Sequence, residues 1–330
     1  MRTQFDIGIL PQGPVEECVE LMVRAEDSGF DGAWVADSQS IFRDAFVALA
    51  LGALRTRRLL LATGVTNPVT RHPATIACSI ATIDELSGGR AVLGIGTGFS
   101  AVRTLGLKPA SLRALEEATL ALRGLMAGQS VTYGGKEMRM AWPTRAVPIY
   151  FAASGPKALH LAGRIADGVL FQVGCEPALV QCAIERVRAG AREAGRNPSD
   201  VKLCVRLGCS VSRDRRAAIE EARPYAAAAA ETVFQSNPEG MLPADLVSDL
   251  KQLQHRYNFY QHVHQQASHS SLVTDRIVDA MVIAGTPEEA IPKFRAILEL
   301  GVDRIVVPLT TPEPAALLRN LAEEVIPHLA

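Results

Sequence analysis

Residues 59–98 read LLLATGVTNPVTRHPATIACSIATIDELSGGRAVLGIGTG. The opening run, Leu59–Val65, is short and almost wholly apolar, the signature of a strand buried on both faces. A loop carrying Pro68 and Pro73 follows, and Ala74–Leu86 then places apolar residues at helical spacing. Ala91–Ile95 is another short apolar run. Strand, helix and strand in this order form a parallel crossover unit.

The same rhythm extends in both directions. Upstream, Phe5–Leu10 is a strand, and Pro14–Gly29 is a helix with Val15, Cys18, Val19 and Met22 on one stripe and Gly29 as its stop. Gly32–Ala36 is the next strand. Downstream come strands at Ile149–Ala153, Gly168–Val173, Val201–Leu207 and Arg304–Leu309. Helical windows lie at Leu112–Met126, Lys157–Ala166, Leu179–Ala194 and Pro287–Leu300. Eight such units predict an α/β chain folded as a (β/α)8 TIM barrel, with residues 1–330 as a single domain and no Pro-, Gly- or Ser-rich linker. Two stretches depart from the rhythm. Val131–Met140 reads as a small hairpin turning at Gly134-Gly135. Residues 225–279 read as a helical, His-rich insertion before the last unit, and the alanines 226–230 within it are simply good helix formers.

Composition narrows the function. Lys and Arg number 34 against 35 Asp and Glu, so there is no basic footprint for nucleic acid or an anionic membrane. No apolar run approaches the roughly 20 residues of a bilayer span, and Asp6 interrupts any apolar leader, so no signal peptide is expected. Six cysteines without a CxxC pair fit a reduced cytoplasmic setting.

In a barrel the chemistry sits at the C-terminal ends of the strands. The third strand ends at Gly64-Val65-Thr66-Asn67, where a glycine lets backbone approach a ligand, or simply turns the chain into a helix opened by Pro73. The fourth ends at Gly96-Thr97-Gly98, a loop lining a ligand or a close-packed rim. As a dinucleotide motif it is weak, because no helix is expected within the next few residues. The fifth ends at Ala153-Ser154-Gly155-Pro156, where Ser154 suits an N-cap, Pro156 the first turn, and the free N–H groups an anion such as phosphate. Asp37 and Ser38 end the second strand. Asp37 reads as a cap or a site carboxylate, and Arg43-Asp44 as a surface ion pair or a clamp on a ligand. His255, His262, His264 and His269 are interleaved with Tyr257, Phe259 and Tyr260, and read as a lid over the barrel mouth or as an exposed polar helix. Carboxylate and thiolate partners are absent around them, so no metal site is expected. Hydrolytic motifs are absent as well.

Together these strings resemble the luciferase-like superfamily of flavin- and deazaflavin-dependent oxidoreductases. The residues that carry the likeness are Gly32-Ala33-Trp34-Val35-Ala36-Asp37, Arg43-Asp44, Thr63-Gly64-Val65-Thr66-Asn67-Pro68 and Thr70-Arg71-His72-Pro73-Ala74. Gly88-Gly89-Arg90-Ala91-Val92-Leu93-Gly94-Ile95-Gly96, Ala153-Ser154-Gly155-Pro156-Lys157-Ala158 and Ala166-Asp167-Gly168-Val169 continue it, and Gly285-Thr286-Pro287-Glu288-Glu289 carries it more loosely near the C-terminus. The branch it resembles most is the methylenetetrahydromethanopterin-reductase-like group. The resemblance implies a tricyclic ring over the strand ends, a non-prolyl cis peptide at Gly64-Val65 under the ring, and a phosphate at Ser154–Pro156. It also implies a homodimer. Two departures stand out. Leu10 occupies the place of a glutamate at the end of the first strand, and Asp37-Ser38 replaces an aspartate–histidine pair common in deazaflavin enzymes. Both count against the pterin reaction, and they weaken the case for coenzyme F-420.

The leading expectation is therefore an FMN-dependent monooxygenase acting on a small organic substrate, with reduced FMN supplied by a partner flavin reductase. A hydride-transfer enzyme dependent on coenzyme F-420 is the alternative, followed by a non-catalytic flavin-binding protein. An ordinary phosphate-binding barrel comes last, since neither Lys157 nor Lys202 sits where an aldolase needs a lysine. Gly64, Val65, Asn67, Gly96, Thr97, Gly98, Ala153, Ser154, Gly155 and Pro156 are expected to bind the cofactor. Leu10, Ser38, Tyr257, Tyr260, His262 and His264 are expected to meet the substrate. Asp37, His72 and His269 are the candidates for proton transfer.

Overall fold

The computed structural model describes residues 3–142, 144–233, 242–258, 261, 263–264 and 266–329. β1 (Gln4–Ile9) leads into α1 (Val15–Asp27), β2 (Gly32–Val35) into α2 (Ala45–Arg55), and β3 (Leu60–Thr63) into α3 (Pro73–Ser87). β4 (Ala91–Ile95) precedes α4 (Ser100–Arg103), α5 (Leu112–Met126) and the hairpin of β5 (Val131–Tyr133) and β6 (Lys136–Met138). β7 (Ile149–Ala153) and α6 (Pro156–Ile165), then β8 (Gly168–Phe171) and α7 (Pro177–Glu193), restore the alternation. β9 (Lys202–Arg206) runs into β10 (Gly208–Val211), α8 (Arg215–Val233), α9 (Ala244–Arg256) and α10 (Asp275–Met281). β11 (Val282–Gly285), α11 (Pro287–Leu298), β12 (Arg304–Pro308) and α12 (Pro314–Asn320) end the series.

Eight of these strands close a parallel barrel in the order β1-β12-β9-β8-β7-β4-β3-β2, and they are the eight apolar runs anticipated above. The helices stop and start where local chemistry demands. Asp44 accepts from the backbone N–H groups of Phe46 and Val47 to cap α2, Pro73 opens α3, and Gly88 closes α3 at φ 67°. Thr286 and Glu289 form a capping box on α11. The hairpin turns through Gly134 and Gly135, both at positive φ, as a two-residue turn of this hand requires.

Two features differ from expectation. A second, two-stranded parallel sheet pairs β10 with β11 outside the barrel. The strand expected at Val201–Leu207 ends where the chain steps off the barrel at Leu207, whose N–H still bonds to Val306 O, and β10 follows directly. The helical insertion also starts earlier than 225, because α8 begins at Arg215 and runs through Pro224.

Trp34, Ala62, Val92, Tyr150, Leu170, Cys204 and Val306 fill the barrel interior as a cluster separate from the larger core between strands and helices. Nearer the N-terminal end, Asp6 is fully buried. It accepts from Trp34 Nε1 at 2.8 Å and from one Arg304 nitrogen at 2.6 and 2.8 Å. A Cβ at position 32 would stand 2.8 Å from Asp6 Oδ1, so the glycine there makes room for the carboxylate.

Candidate functional site

The barrel interior opens at the C-terminal strand ends into a cavity of about 380 Å³. Its floor comes from β3 and β4. Thr63 Oγ1 donates to Gly94 O at 2.7 Å, the Gly64-Val65 peptide is cis, Thr66 N–H donates to Gly94 O, and Gly96 N–H donates to Thr66 O. Small residues set the shape. A Cβ at Gly64 would press on the Trp34 backbone at 3.0 Å, and one at Gly96 would sit 3.3 Å from Ala152 Cβ. Asn67 holds the following turn, accepting from the N–H groups of Val69 and Thr70 and donating to Thr70 Oγ1.

On the β2 side, Asp37 is buried and fully engaged. Thr66 Oγ1 donates to it at 2.7 Å, and Arg71 grips it with Nε at 2.9 Å and a terminal nitrogen at 3.0 Å. Arg71 also reaches Asp44 at 2.7 Å and lies over the Phe46 ring, and burial is outweighed by the two carboxylates, which hold its pKa up. Asp44 therefore pairs with Arg71 rather than with its neighbour Arg43, which donates to Gln12 O instead. Ser38 and Ser100 share a hydroxyl hydrogen bond of 3.0 Å, and Gln39 Nε2 donates to Ala101 O at 2.7 Å. These bonds tie the loop after β2 to α4, the one-turn helix that begins two residues after Gly98. A helix was not expected so soon. Gly98, at φ 94°, makes the sharp turn into it.

The opposite wall is a chain of oriented hydrogen bonds. Tyr225 Oη donates to Gln172 Oε1 at 2.8 Å, Gln172 Nε2 to Thr232 Oγ1 at 3.1 Å, and Thr232 Oγ1 to Ala229 O at 2.8 Å. Ser154 Oγ donates to Gln172 O at 2.9 Å. Ser154 is thus not the helix cap expected from sequence. Gly155 occupies the cap position of α6 with no side-chain cap bond, Pro156 takes the first helical position, and the first N–H groups of α6 have no side-chain cap. Such a helix start suits an anion.

The cavity gathers Leu10, Asp37, Ser38, Gly64, Val65, Asn67, Gly96, Thr97, Gly98, Ala153 and Ser154. Gly155 and Pro156 are not in its lining, although Ala158 behind them is. His72 lies outside it. Its Nδ1 accepts from Ala74 N–H as the cap of α3, and its ring meets Tyr133 edge-on. His269 is also outside, buried against Tyr257 with centroids 4.4 Å apart, and burial lowers its pKa. Tyr257 and His264 do not line the cavity either; His264 is exposed, with Nδ1 accepting from Gln266 N–H. Tyr260 and His262 lie outside the described residues, as does Phe259. From the 255–269 segment, Val263 is the described residue that reaches the cavity. Among the described residues no three His, Cys, Asp or Glu side chains gather as metal ligands would.

Sequence reading passed over Phe42, Phe99, Arg103, Gln172, Arg206 and Tyr225, all of which line the cavity. Arg206 is the last residue of β9 and Gln172 follows β8 directly. The strand-end rule that singled out Gly64 and Ser154 would have found both.

The sequence profile of the luciferase-like monooxygenase family matches residues 1–304. A 5,10-methylenetetrahydromethanopterin reductase of Methanolobus tindarius is 34% identical over 313 residues, covering 92% of this chain and 93% of the relative. An F420-dependent glucose-6-phosphate dehydrogenase of Nakamurella multipartita is 30% identical over 337 residues, covering 96% and 93%. The solved structure of a coenzyme F420 dependent tetrahydromethanopterin reductase from Methanopyrus kandleri superposes with a TM-score of 0.82 at 26% identity, and each chain is covered in full.

Proposed function

The chain belongs to the luciferase-like monooxygenase family of oxidoreductases, and from that premise we propose that it is a hydride-transfer enzyme dependent on coenzyme F-420. Its substrate is a small organic molecule. The observation that carries this reading is the identity of relatives at 30% or more over nearly the whole chain, which include an F420-dependent dehydrogenase. It favours the deazaflavin alternative over FMN, which sequence alone placed first. A partner flavin reductase belongs to the FMN reading and stands or falls with it.

The cavity fits a flat ring system. The cis Gly64-Val65 peptide and Gly96 leave an apolar floor that any Cβ at 96 would begin to fill, and Thr97 and Gly98 border it. The uncapped N–H groups of α6, beside Ser154, Gly155 and Pro156, suit the cofactor's phosphate. A bound deazaflavin supplies the two-electron hydride chemistry. The protein's part is to hold, orient and keep water out. Val65 and Asn67 shape the floor, Leu10 and Ser38 face the substrate side, and Val263 reaches the cavity from the 255–269 segment. Asp37, held by Arg71 and Thr66, keeps the floor rigid. This assignment makes it a positioning residue rather than a proton donor.

Equilibrium binding to the apoprotein, followed by fluorescence quenching, tests the reading. F-420 should bind and oxidised FMN should not. FMN binding without F-420 would overturn it in favour of a two-component oxygenase.

The proposal extends to a homodimer in a reducing cytoplasm. All six cysteines are unpaired thiols, and among the described residues no helix is long and apolar enough to cross a membrane. Val47, Leu51 and Leu54 form an exposed apolar stripe on α2, with Leu54 66% exposed; a second copy covering it explains why these positions are apolar. Leu54→Glu should convert a sedimenting dimer to monomer, and a wild-type chain that sediments as a monomer would end this part of the proposal.

A further inference from the structure

Arg206 stands apart from the other charged groups of the cavity. The charged side chains in the lining are Asp37, Arg103 and Arg206, and Asp37 is already neutralised by Arg71. Arg206 follows Cys204 by two residues on β9, so it points to the same interior face as that buried barrel residue. Among the described residues its Nε is buried with no hydrogen-bond partner, and no carboxylate is ion-paired with it. Its guanidinium lies 5.9 Å from the centroid of the Tyr225 ring and hydrogen-bonds to the Tyr225 hydroxyl, which leaves the Nε hydrogen as the one without an acceptor. Around it the neutral donors are spent, since the hydroxyls of Tyr225 and Thr232 already donate within the wall. A buried guanidinium N–H without an acceptor costs free energy unless a ligand supplies one.

The place is distinct from the start of α6. That helix follows β7, whereas Arg206 ends β9, with β8 between them in the barrel. Arg206 is therefore a positive pole separate from that helix start. Leu10, Phe42, Val65 and Val263 supply apolar lining for an organic body.

We propose that Arg206 binds the oxyanion of the substrate, so that the enzyme acts on small organic anions, carboxylates or phosphate esters, and discriminates against their neutral counterparts. The proposal rests on the hydride-transfer reading for what happens to that substrate, but the anion site itself rests on the geometry of Arg206 alone. A guanidinium fork matches two oxygens of one oxyanion, which a single point charge does not.

Calorimetric titration of the F-420-saturated protein tests this with butanoate, benzoate and methyl phosphate against butanamide and benzamide. At least one anion should bind more tightly than the amides. Arg206→Met should weaken that anion by about 10- to 100-fold, the range of a hydrogen bond to a charged group, while amide binding and F-420 affinity stay unchanged. Arg206→Lys keeps the charge and loses the fork, so it should fall between, and it carries the comparison if the methionine variant does not fold. No preference for any anion would overturn the proposal. So would loss of F-420 affinity in Arg206→Met with anion binding intact, which would assign the residue to the cofactor. Should wild-type protein fail to bind F-420 yet select anions through Arg206, the deazaflavin reading fails and the anion site stands.

Discussion

Arg304→Met should lower the free energy of unfolding by about 3–5 kcal/mol at neutral pH, the usual cost of removing one partner from a buried ion pair. Asp6 is fully buried inside the barrel and both its oxygens accept from Arg304. With the guanidinium gone, Trp34 Nε1 remains as a donor, too little for a buried carboxylate. Burial already pushes the Asp6 carboxyl up, and Arg304 is the largest influence holding it down. The variant's Asp6 should therefore titrate higher still. A folded-state value raised above the unfolded value of about 3.9 adds stability at pH below that value and loses it as pH rises through the folded value. The variant should thus lie closest to wild type in mild acid and fall furthest behind at neutral pH and above. Urea unfolding at a mildly acidic and a mildly alkaline pH reads both magnitude and sign. Asp6→Leu combined with Arg304→Met should recover much of the loss, since an apolar pair leaves no charge stranded. A deficit independent of pH would mean that Asp6 is not the group left behind.

The barrel was legible because its strands are buried on both faces. Runs such as Ala91–Ile95 and Gly168–Phe171 are too short and too uniformly apolar to be surface helices, and each is followed by a window of helical period. What was not legible depended on partners far away in sequence. Ser154 reads as a cap until the Gln172 carbonyl, 18 residues on, takes its hydroxyl. Asp44 reads as the partner of Arg43 until Arg71, 27 residues on, arrives beside it. The interleaved histidines and tyrosines of 255–269 read as a substrate-facing lid, yet His269 and Tyr257 stack on each other and Val263 is the described residue that reaches the cavity. Composition marks such a segment as unusual without giving its path. β10 was hidden differently, because Gly208–Val211 is only four residues long, is interrupted by Ser210, and follows β9 with a single residue between them. The floor of the site was the easiest part to read, since Gly64, Gly96 and Gly98 leave room that other residues would fill.

That floor yields the other large effect. Gly96→Leu should reduce F-420 affinity by more than about 100-fold, equivalent to a loss above about 2.7 kcal/mol, with little change in the melting temperature. Gly96 does not occupy the left-handed region, so a side chain there brings no backbone strain. Its Cβ would rest 3.3 Å from Ala152 Cβ and 3.5 Å from Val65 Cγ2, a tight but yielding contact. Atoms beyond the Cβ have the cavity to enter, where the ring is expected. Gly96→Ala should accordingly cost far less affinity than leucine. Gly94, two residues earlier, makes the contrast. There a Cβ would meet the Thr63 carbonyl oxygen at 2.1 Å, against backbone that cannot move aside, so Gly94→Ala should lower the melting temperature itself. A fluorescence titration beside a thermal melt of each variant separates the two cases. If Gly96→Leu binds F-420 as wild type does, the ring does not lie over the Gly64-Val65 peptide. The cavity would then hold its cofactor nearer the Gln172 and Tyr225 wall.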